Sequence, residues 1–212
     1  MERVVCLLIG YVCGLFQTSY LIGKKNHIDI RDYGSGNAGT TNAMRVMGKK
    51  AGALTLLGDC LKCVIAMAVV SALFGKNYAD MQMLLRMYAG AGCILGHNFP
   101  FYLHFKGGKG IAASVGLLIG LDWKLLLCAA IVFFAVFALT HYVSLCSISA
   151  YVIALIAMVI FGNMGYYSLA ESHLTEMYIL MAVLMLLAIW RHKDNIVRLL
   201  HGEENRLYFT KK

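Results

Sequence analysis

The 212 residues are 60% hydrophobic and only 14% charged, with a mean hydropathy of +0.69, where a soluble domain carries about a quarter charged residues. So little polar surface cannot cover a water-soluble globule; in so apolar a chain the net charge of +8 points to basic loops and anionic ligands or lipid rather than to nucleic acid. Seven cysteines, mostly inside apolar runs and without a spaced framework, argue against structural disulfides, and the lone Cys60-Leu61-Lys62-Cys63 lacks the second pair a metal site would bring.

Seven apolar runs read as helices: residues 4–22, 51–74, 84–103, 111–121, 125–139, 143–161 and 177–190. The first has no signal-cleavage site after it and reads as a retained span. Several are shorter than the ~20 residues of a perpendicular span, 111–121 above all, so tilt or a partly re-entrant path is expected. Trp123 and Trp190 stand at run ends, where interfacial indoles belong.

Orientation follows from Lys and Arg. One side collects fourteen: Lys24, Lys25, Arg31, Arg45, Lys49, Lys50, Lys106, Lys109, Arg191, Lys193, Arg198, Arg206, Lys211 and Lys212. The other has Arg3, Lys76, Arg86 and Lys124, together with Glu171 and Glu176, and Lys62 lies within a run. The positive-inside rule then predicts an all-α, polytopic transmembrane bundle of about seven helices, in one domain over residues 1–212. Its N-terminus is outside and its C-terminus in the cytoplasm.

This topology brings three polar segments to the cytoplasmic face. The first, Gly34-Ser35-Gly36-Asn37-Ala38-Gly39-Thr40-Thr41-Asn42-Ala43-Met44-Arg45, combines turn glycines, neutral hydrogen-bonding groups and a guanidinium fork, the ingredients of a phosphate site. It also matches G-x-G-x-x-G, but no apolar strand precedes it, so a dinucleotide site is not expected. The second runs from Gly96-His97 through Pro100, the only proline, to Lys106-Gly107-Gly108-Lys109-Gly110. There, two ammonium groups interleave with glycines whose N–H groups could form an anion nest. The third holds Ser144 and Ser147 at a span junction, and is followed by a tail in which His192, Asn195 and Arg198 share one face if helical.

In order along nearly the whole chain, these motifs resemble those of the bacterial acyl-phosphate:glycerol-3-phosphate acyltransferases, an integral membrane family. The resemblance rests on Ile22-Gly23-Lys24, the 34–45 segment, Asp59-x-x-Lys62, Gly96-His97-x-x-Pro100, Phe105-Lys106-Gly107-Gly108-Lys109-Gly110 and Tyr142-Val143-Ser144-Leu145-x-Ser147. It continues in His192-x-x-Asn195-Ile196-x-Arg198-Leu199 and Gly202-x-Glu204. The chain departs from the pattern where a first-helix proline is missing from 16–19, at His141 in place of a basic residue, and at Cys63 in place of a glycine.

The resemblance implies transfer of a fatty acyl group from acyl phosphate to the sn-1 hydroxyl of glycerol-3-phosphate. Lysophosphatidic acid and phosphate would result, at the cytoplasmic face of a bacterial cytoplasmic membrane, without cofactor or metal, and an upstream enzyme would supply the long-chain acyl phosphate. Two phosphorylated substrates would need two anion sites. Residues 106–110 with Ser144 are assigned to the donor phosphate, and Arg45, Ser35 and His192 mainly to glycerol-3-phosphate. Asn195, Asn37 and backbone N–H groups are assigned to the oxyanion, with Glu204 as an orienter. A substrate phosphate oxygen or His192 would take the hydroxyl proton. Gly36, Thr41, Asn42, Lys62, His97 and Ser147 complete the expected substrate-binding set.

Two other classes can be weighed against this one. His27-Ile28-Asp29-Ile30-Arg31-Asp32 fits the His-x4-Asp signature of thioester-dependent acyltransferases, but no further motif of that class follows. A small transporter for phosphorylated solutes would place its polar breaks near the midplane, often in paired repeats, and no internal repeat is visible.

Overall fold

A computed structural model of the chain describes residues 1–208; Lys211 and Lys212, counted above toward the cytoplasmic side, lie outside them. The described residues form ten α-helices and three 3-10 turns, with no strand among them. The chain divides into two compact units, Met1–Leu121 and Asp122–Lys212, each described by itself.

The first unit contains α1 (Glu2–Gly14), α2 (Thr18–Lys25), α3 (Thr40–Met47), α4 (Lys49–Phe74), α5 (Gln82–Asn98) and α6 (Ile111–Leu121). In lipid no hydrophobic effect drives helices together, so close backbone approach must. Gly10 and Gly14 on α1, and Gly92 and Gly96 on α5, are each a small-x-x-x-small pair. A Cβ on Gly10 would strike the carbonyl of Ala89, and one on Gly14 that of Cys93; on Gly92 it would strike the carbonyl of Leu7, and on Gly96 that of Tyr11. The two backbones therefore touch along their length, and the Tyr11 hydroxyl donates to the Phe99 carbonyl at 2.8 Å.

The second unit contains α7 (Trp123–Thr140), α8 (Val143–Asn163), α9 (Glu171–Arg191) and α10 (Lys193–Leu200). Asp122 caps α7 by accepting the Lys124 N–H at 2.9 Å. The turn into α8 passes through His141 in the left-handed region, φ 58°. Leu8 and Val12 of α1, Leu61 and Ile65 of α4, and Phe134 and Val183 of α7 and α9 are exposed, as a lipid-facing surface requires.

Among the described residues, five helical stretches are long and apolar enough to cross a membrane: Glu2–Lys25, Lys49–Phe74, Trp123–Thr140, Val143–Asn163 and Glu171–Arg191. The all-α polytopic class stands: each of the seven apolar runs is helical, the run 4–22 as α1 and α2, and α5 and α6 are the short ones that length and composition alone do not count as spans. α5 has 17 residues and α6 has 11; at about 1.5 Å per residue neither reaches the ~30 Å of a hydrocarbon core. Three further differences from the apolar runs have local causes. The run 4–22 is broken after Gly14, with Gln17 in an extended conformation before α2. The run 84–103 stops being α-helical at Asn98, because Pro100 disfavours helix in the residue before it. α3 forms inside a segment read as loop, bounded by Gly39 and by Gly48 at φ 88°.

Candidate active site

In the first unit, Gly34 and Gly36 adopt φ 62° and 69° and reverse the chain into α3. Asn42 holds that turn. Its Oδ1 accepts the Ser35 N–H at 2.9 Å, and its Nδ2 donates to the carbonyls of Tyr33 at 2.9 Å and Ile30 at 3.2 Å. Asn42 is therefore buried structure, which revises its expected contact with substrate. Ser35 and Gly36 are exposed, and Asn37 and Thr41 half-buried. Arg45 sits one helical turn after Thr41, exposed, with no ion pair among the described residues.

The glycine segment 106–110 is built differently from the nest its sequence suggested. The N–H of Lys106 donates to Leu103 at 3.1 Å, that of Gly107 to Asn98 at 3.2 Å, and that of Gly108 to His97 at 3.1 Å. The last two clamp the loop onto the end of α5 and the first onto the 3-10 turn that follows it, so none of the three is open to an anion. Of the three glycines only Gly110 has positive φ, 80°. Gly107 and Gly108 are required by crowding instead. A Cβ on Gly108 would collide with the His97 ring and come within 2.7 Å of the Ala38 carbonyl. Gly108 is thus where the 34–39 loop and the 106–110 loop meet. A second tie is Arg31, whose Nη1 donates to Leu103 at 3.1 Å while its guanidinium pairs with Asp29 at 2.6 Å. That hydrogen bonding holds the Asp29 carboxyl below its ordinary range. What the loop can offer an anion is the ammonium groups of exposed Lys106 and half-buried Lys109.

Beneath these loops lies a buried ionic cluster: Asp59 is 1%, Lys62 5% and His97 2% exposed. The Lys62 ammonium lies 2.5 Å from the Phe16 carbonyl, 2.8 Å from His97 Nδ1, 3.0 Å from Asp59 Oδ1 and 3.3 Å from the Gly14 carbonyl. Thr18 donates to Asp59 Oδ1 at 3.0 Å, and Gln17 to the His97 carbonyl at 2.9 Å. Lys62 and His97 were expected to bind substrate directly; the ammonium is surrounded by protein acceptors, so both belong to the interior that carries the loops. Gln17 and Thr18, which join this cluster, were not singled out from the sequence, and Asp59 only as a motif position. The i,i+3 spacing of Asp59 and Lys62 was the available signal.

In the second unit, α10 places His192, Asn195 and Arg198 on one face, and Gly202 at φ 74° turns the chain back so that Glu204 meets them. Glu204 Oε1 accepts from Asn195 Nδ2 at 2.6 Å and from Ser144 Oγ at 2.9 Å, and Oε2 from Arg198 Nε at 2.8 Å. Burial pushes the Glu204 carboxyl up, but these three donors outweigh it and hold the group below its ordinary range. The Ser144 proton, assigned from the sequence to the donor phosphate, is given to Glu204. Ser147 donates to the Val143 carbonyl within its own helix at 2.8 Å, which likewise revises its expected role. His192 Nδ1 lies 2.8 Å from the Ala188 carbonyl; a carbonyl only accepts, so Nδ1 carries a proton.

Each unit therefore presents polar groups suited to phosphate and acyl chemistry: cations and hydroxyls on the first, and a histidine, an amide and an ordered carboxylate on the second. Among the described residues no three His, Cys, Asp or Glu side chains are grouped so as to hold a metal ion. The family profile described as Glycerol-3-phosphate acyltransferase matches residues 4–202. A glycerol-3-phosphate acyltransferase of Shouchella clausii is 41% identical over 209 residues, covering 98% of this chain and 97% of the relative. One of Thermoanaerobacter sp. is 40% identical over 208 residues, 98% and 96% of the two chains. The fold matches the crystal structure of PlsY (YgiH), an integral membrane glycerol 3-phosphate acyltransferase in its glycerol 3-phosphate form. The TM-score is 0.83 at 31% identity, over 98% of this chain and 96% of that one; the lysophosphatidic acid form of that protein gives 0.80 at 30% identity. The chain belongs to the glycerol-3-phosphate acyltransferase family of integral membrane acyltransferases.

Proposed function

We propose that the enzyme transfers a fatty acyl group from acyl phosphate to the sn-1 hydroxyl of glycerol-3-phosphate. The reaction takes place at the cytoplasmic face of a bacterial cytoplasmic membrane, and residues 1–212 act as one catalytic domain. The observation that supports this reading is the meeting of two glycine loops at Gly108 and Ala38; one of them carries Lys106 and Lys109, and the other leads into α3, which carries Arg45. An acyl phosphate carries its phosphate on the acyl carbon itself, so a cationic loop beside the acceptor site suits that donor; a thioester presents sulfur there.

Lys106 and Lys109 neutralise the donor phosphate as point charges, with Gly107, Gly108 and Gly110 letting the loop lie close. Arg45, Ser35 and Thr41 serve glycerol-3-phosphate, and Asn37 faces the oxyanion. The sn-1 oxygen attacks the acyl carbon, the carbon–oxygen bond to phosphate breaks, and orthophosphate leaves. The hydroxyl proton goes to a phosphate oxygen or to His192 Nε2, the demand on a base being modest because the acyl group is already activated. Asn195, held by Glu204, stabilises the tetrahedral oxyanion, a contribution worth about 3–4 kcal/mol per donor. An upstream enzyme supplies the acyl phosphate.

Purified enzyme given radiolabelled glycerol-3-phosphate should release orthophosphate in step with lysophosphatidate when acyl phosphate is the donor. Acyl-CoA and acyl-carrier protein should give negligible product. Robust turnover of either thioester would overturn the donor assignment.

A further inference from the structure

The break between α1 and α2 lies within a stretch long and apolar enough to span a membrane. Backbone freed at such a break must be satisfied internally, since lipid offers no partners. The carbonyls of Gly14 and Phe16, at the negative end of α1, both accept from one ammonium, that of Lys62, and that of Gly14 also accepts from the Gln17 amide at 3.3 Å. Asp59 Oδ1 balances its charge at 3.0 Å. Where a transporter would seat a mobile cation at an unwound segment, this chain supplies a tethered one.

The same ammonium reaches His97 Nδ1 at 2.8 Å. An ammonium has three donors and no lone pair, so Nδ1 accepts and the ring proton sits on Nε2. The Nε2 edge is the part of the ring that a Cβ on Gly108 would strike, beside the Ala38 carbonyl. The His97 carbonyl accepts both the Gly108 N–H at 3.1 Å and the Gln17 amide at 2.9 Å. One residue thus joins the helix break to the junction of the two loops.

We infer that Lys62 and His97, with Asp59, are positioning residues for acyl transfer: the Lys62 ammonium closes the helix break and fixes His97 as the Nε2–H tautomer, and His97 in turn sets where the 106–110 loop lies against the 34–39 loop. This rests on the loops being the phosphate sites proposed above, but the tautomer does not.

The test uses the full-length enzyme in detergent or nanodiscs. With 15N-histidine labelling and His97→Gln to assign the signal, His97 should show an unprotonated Nδ1 and a protonated Nε2 at neutral pH. Lys62→Met should release this preference and lower kcat/KM by about a hundredfold, as misplacement by about 1 Å can do. The loss should come chiefly through KM for one phosphorylated substrate. His97→Gln, which keeps a side-chain N–H able to reach the loop, should retain several-fold more activity than His97→Leu at equal thermal stability. If Lys62→Met does not fold, the charge-balanced pair Asp59→Asn with Lys62→Met, which leaves no buried unpaired charge, is read in its place. A protonated Nδ1 in the unmodified enzyme overturns the inference, and so do equal activities for His97→Gln and His97→Leu. Turnover with thioester donors would overturn the proposed reaction while leaving the tautomer result standing.

Discussion

Asn195 and Ser144 donate to the same oxygen of Glu204, at 2.6 and 2.9 Å, although Ser144 opens α8 and Asn195 lies on α10. The chain beyond Gly202 is thereby fastened: the Leu207 N–H reaches the His141 carbonyl at 3.0 Å, and Arg206 Nε donates to the Tyr142 hydroxyl at 3.2 Å. Because the folded-state pKa of Glu204 is depressed, its contribution to this docking is present above the ordinary carboxylate pKa. It is lost as pH falls through the lower, folded value. Hydrogen exchange at the Leu207 amide should stay protected as pH drops through the usual glutamate range of about 4.3, and loosen only below it. Glu204→Ala should remove the protection already at neutral pH, since two buried donors lose their acceptor at a cost of about 1–3 kcal/mol each. Loss of protection in the unmodified enzyme at or above the usual glutamate pKa would contradict the role given to Glu204.

Arg45 is assigned to glycerol-3-phosphate as a planar fork, which a point ammonium cannot reproduce. Arg45→Lys should therefore be nearly as inactive as Arg45→Ala, with KM for glycerol-3-phosphate raised in both. Near-normal kinetics for Arg45→Lys would show that only charge is needed at this position.

A Cβ on Gly108 meets the His97 ring and the Ala38 carbonyl, so Gly108→Ala must push the two loops apart. If Lys106 and Lys109 hold the donor phosphate, KM for acyl phosphate should rise more than KM for glycerol-3-phosphate. Equal increases would remove the donor assignment of this loop without touching that of Arg45.

Gly92 and Gly10 face backbone carbonyls across α1 and α5, and backbone cannot rotate away as a side chain can. Gly92→Val should cost about 1–3 kcal/mol through overpacking, read as a lower melting temperature in detergent. Leu8→Ala, at an exposed position, should melt close to the unmodified enzyme. Equal melting of Gly92→Val and the unmodified enzyme would mean that the helices are not in backbone contact.

The long runs were legible because lipid imposes a simple rule, apolar residues for the length of a helix, and residues 111–121 became α6 with the same bounds. The break after Gly14 was not, since Leu15 and Phe16 keep the run apolar while Lys62, the donor that meets the freed carbonyls, lies far along the chain. α3 was hidden by its polar residues, though Gly39 and Gly48 marked both ends. The sequence pointed to the two glycine loops but not to how their donors are spent. Whether Gly107 and Gly108 N–H groups face an anion or a carbonyl depends on how α5 ends. Asn42, Ser147 and Lys62 looked like binding groups because hydrogen-bonding capacity is visible in a residue type, while its partner is visible only in the fold.

His27 offers the cleanest separation of the two acyltransferase readings. It is exposed and held at φ 59°, a region that glycine enters readily and other residues at a cost. Asp32, the carboxylate of the His-x4-Asp pattern, makes no hydrogen bond or ion pair with His27 among the described residues, and Asp29 between them is paired with Arg31 at 2.6 Å. Nothing in that arrangement orients an imidazole as a base. His27→Gly should therefore relax the backbone and keep activity within a few-fold of the unmodified enzyme, and His27→Ala should behave similarly apart from a small loss of stability. A thioester-dependent mechanism built on His27 as general base predicts the opposite for both variants, a loss of about a hundredfold or more. Measured with acyl phosphate and with acyl-CoA in parallel, a dead His27→Gly enzyme alongside thioester turnover would replace the proposed mechanism; an active one leaves His27 as a turn residue.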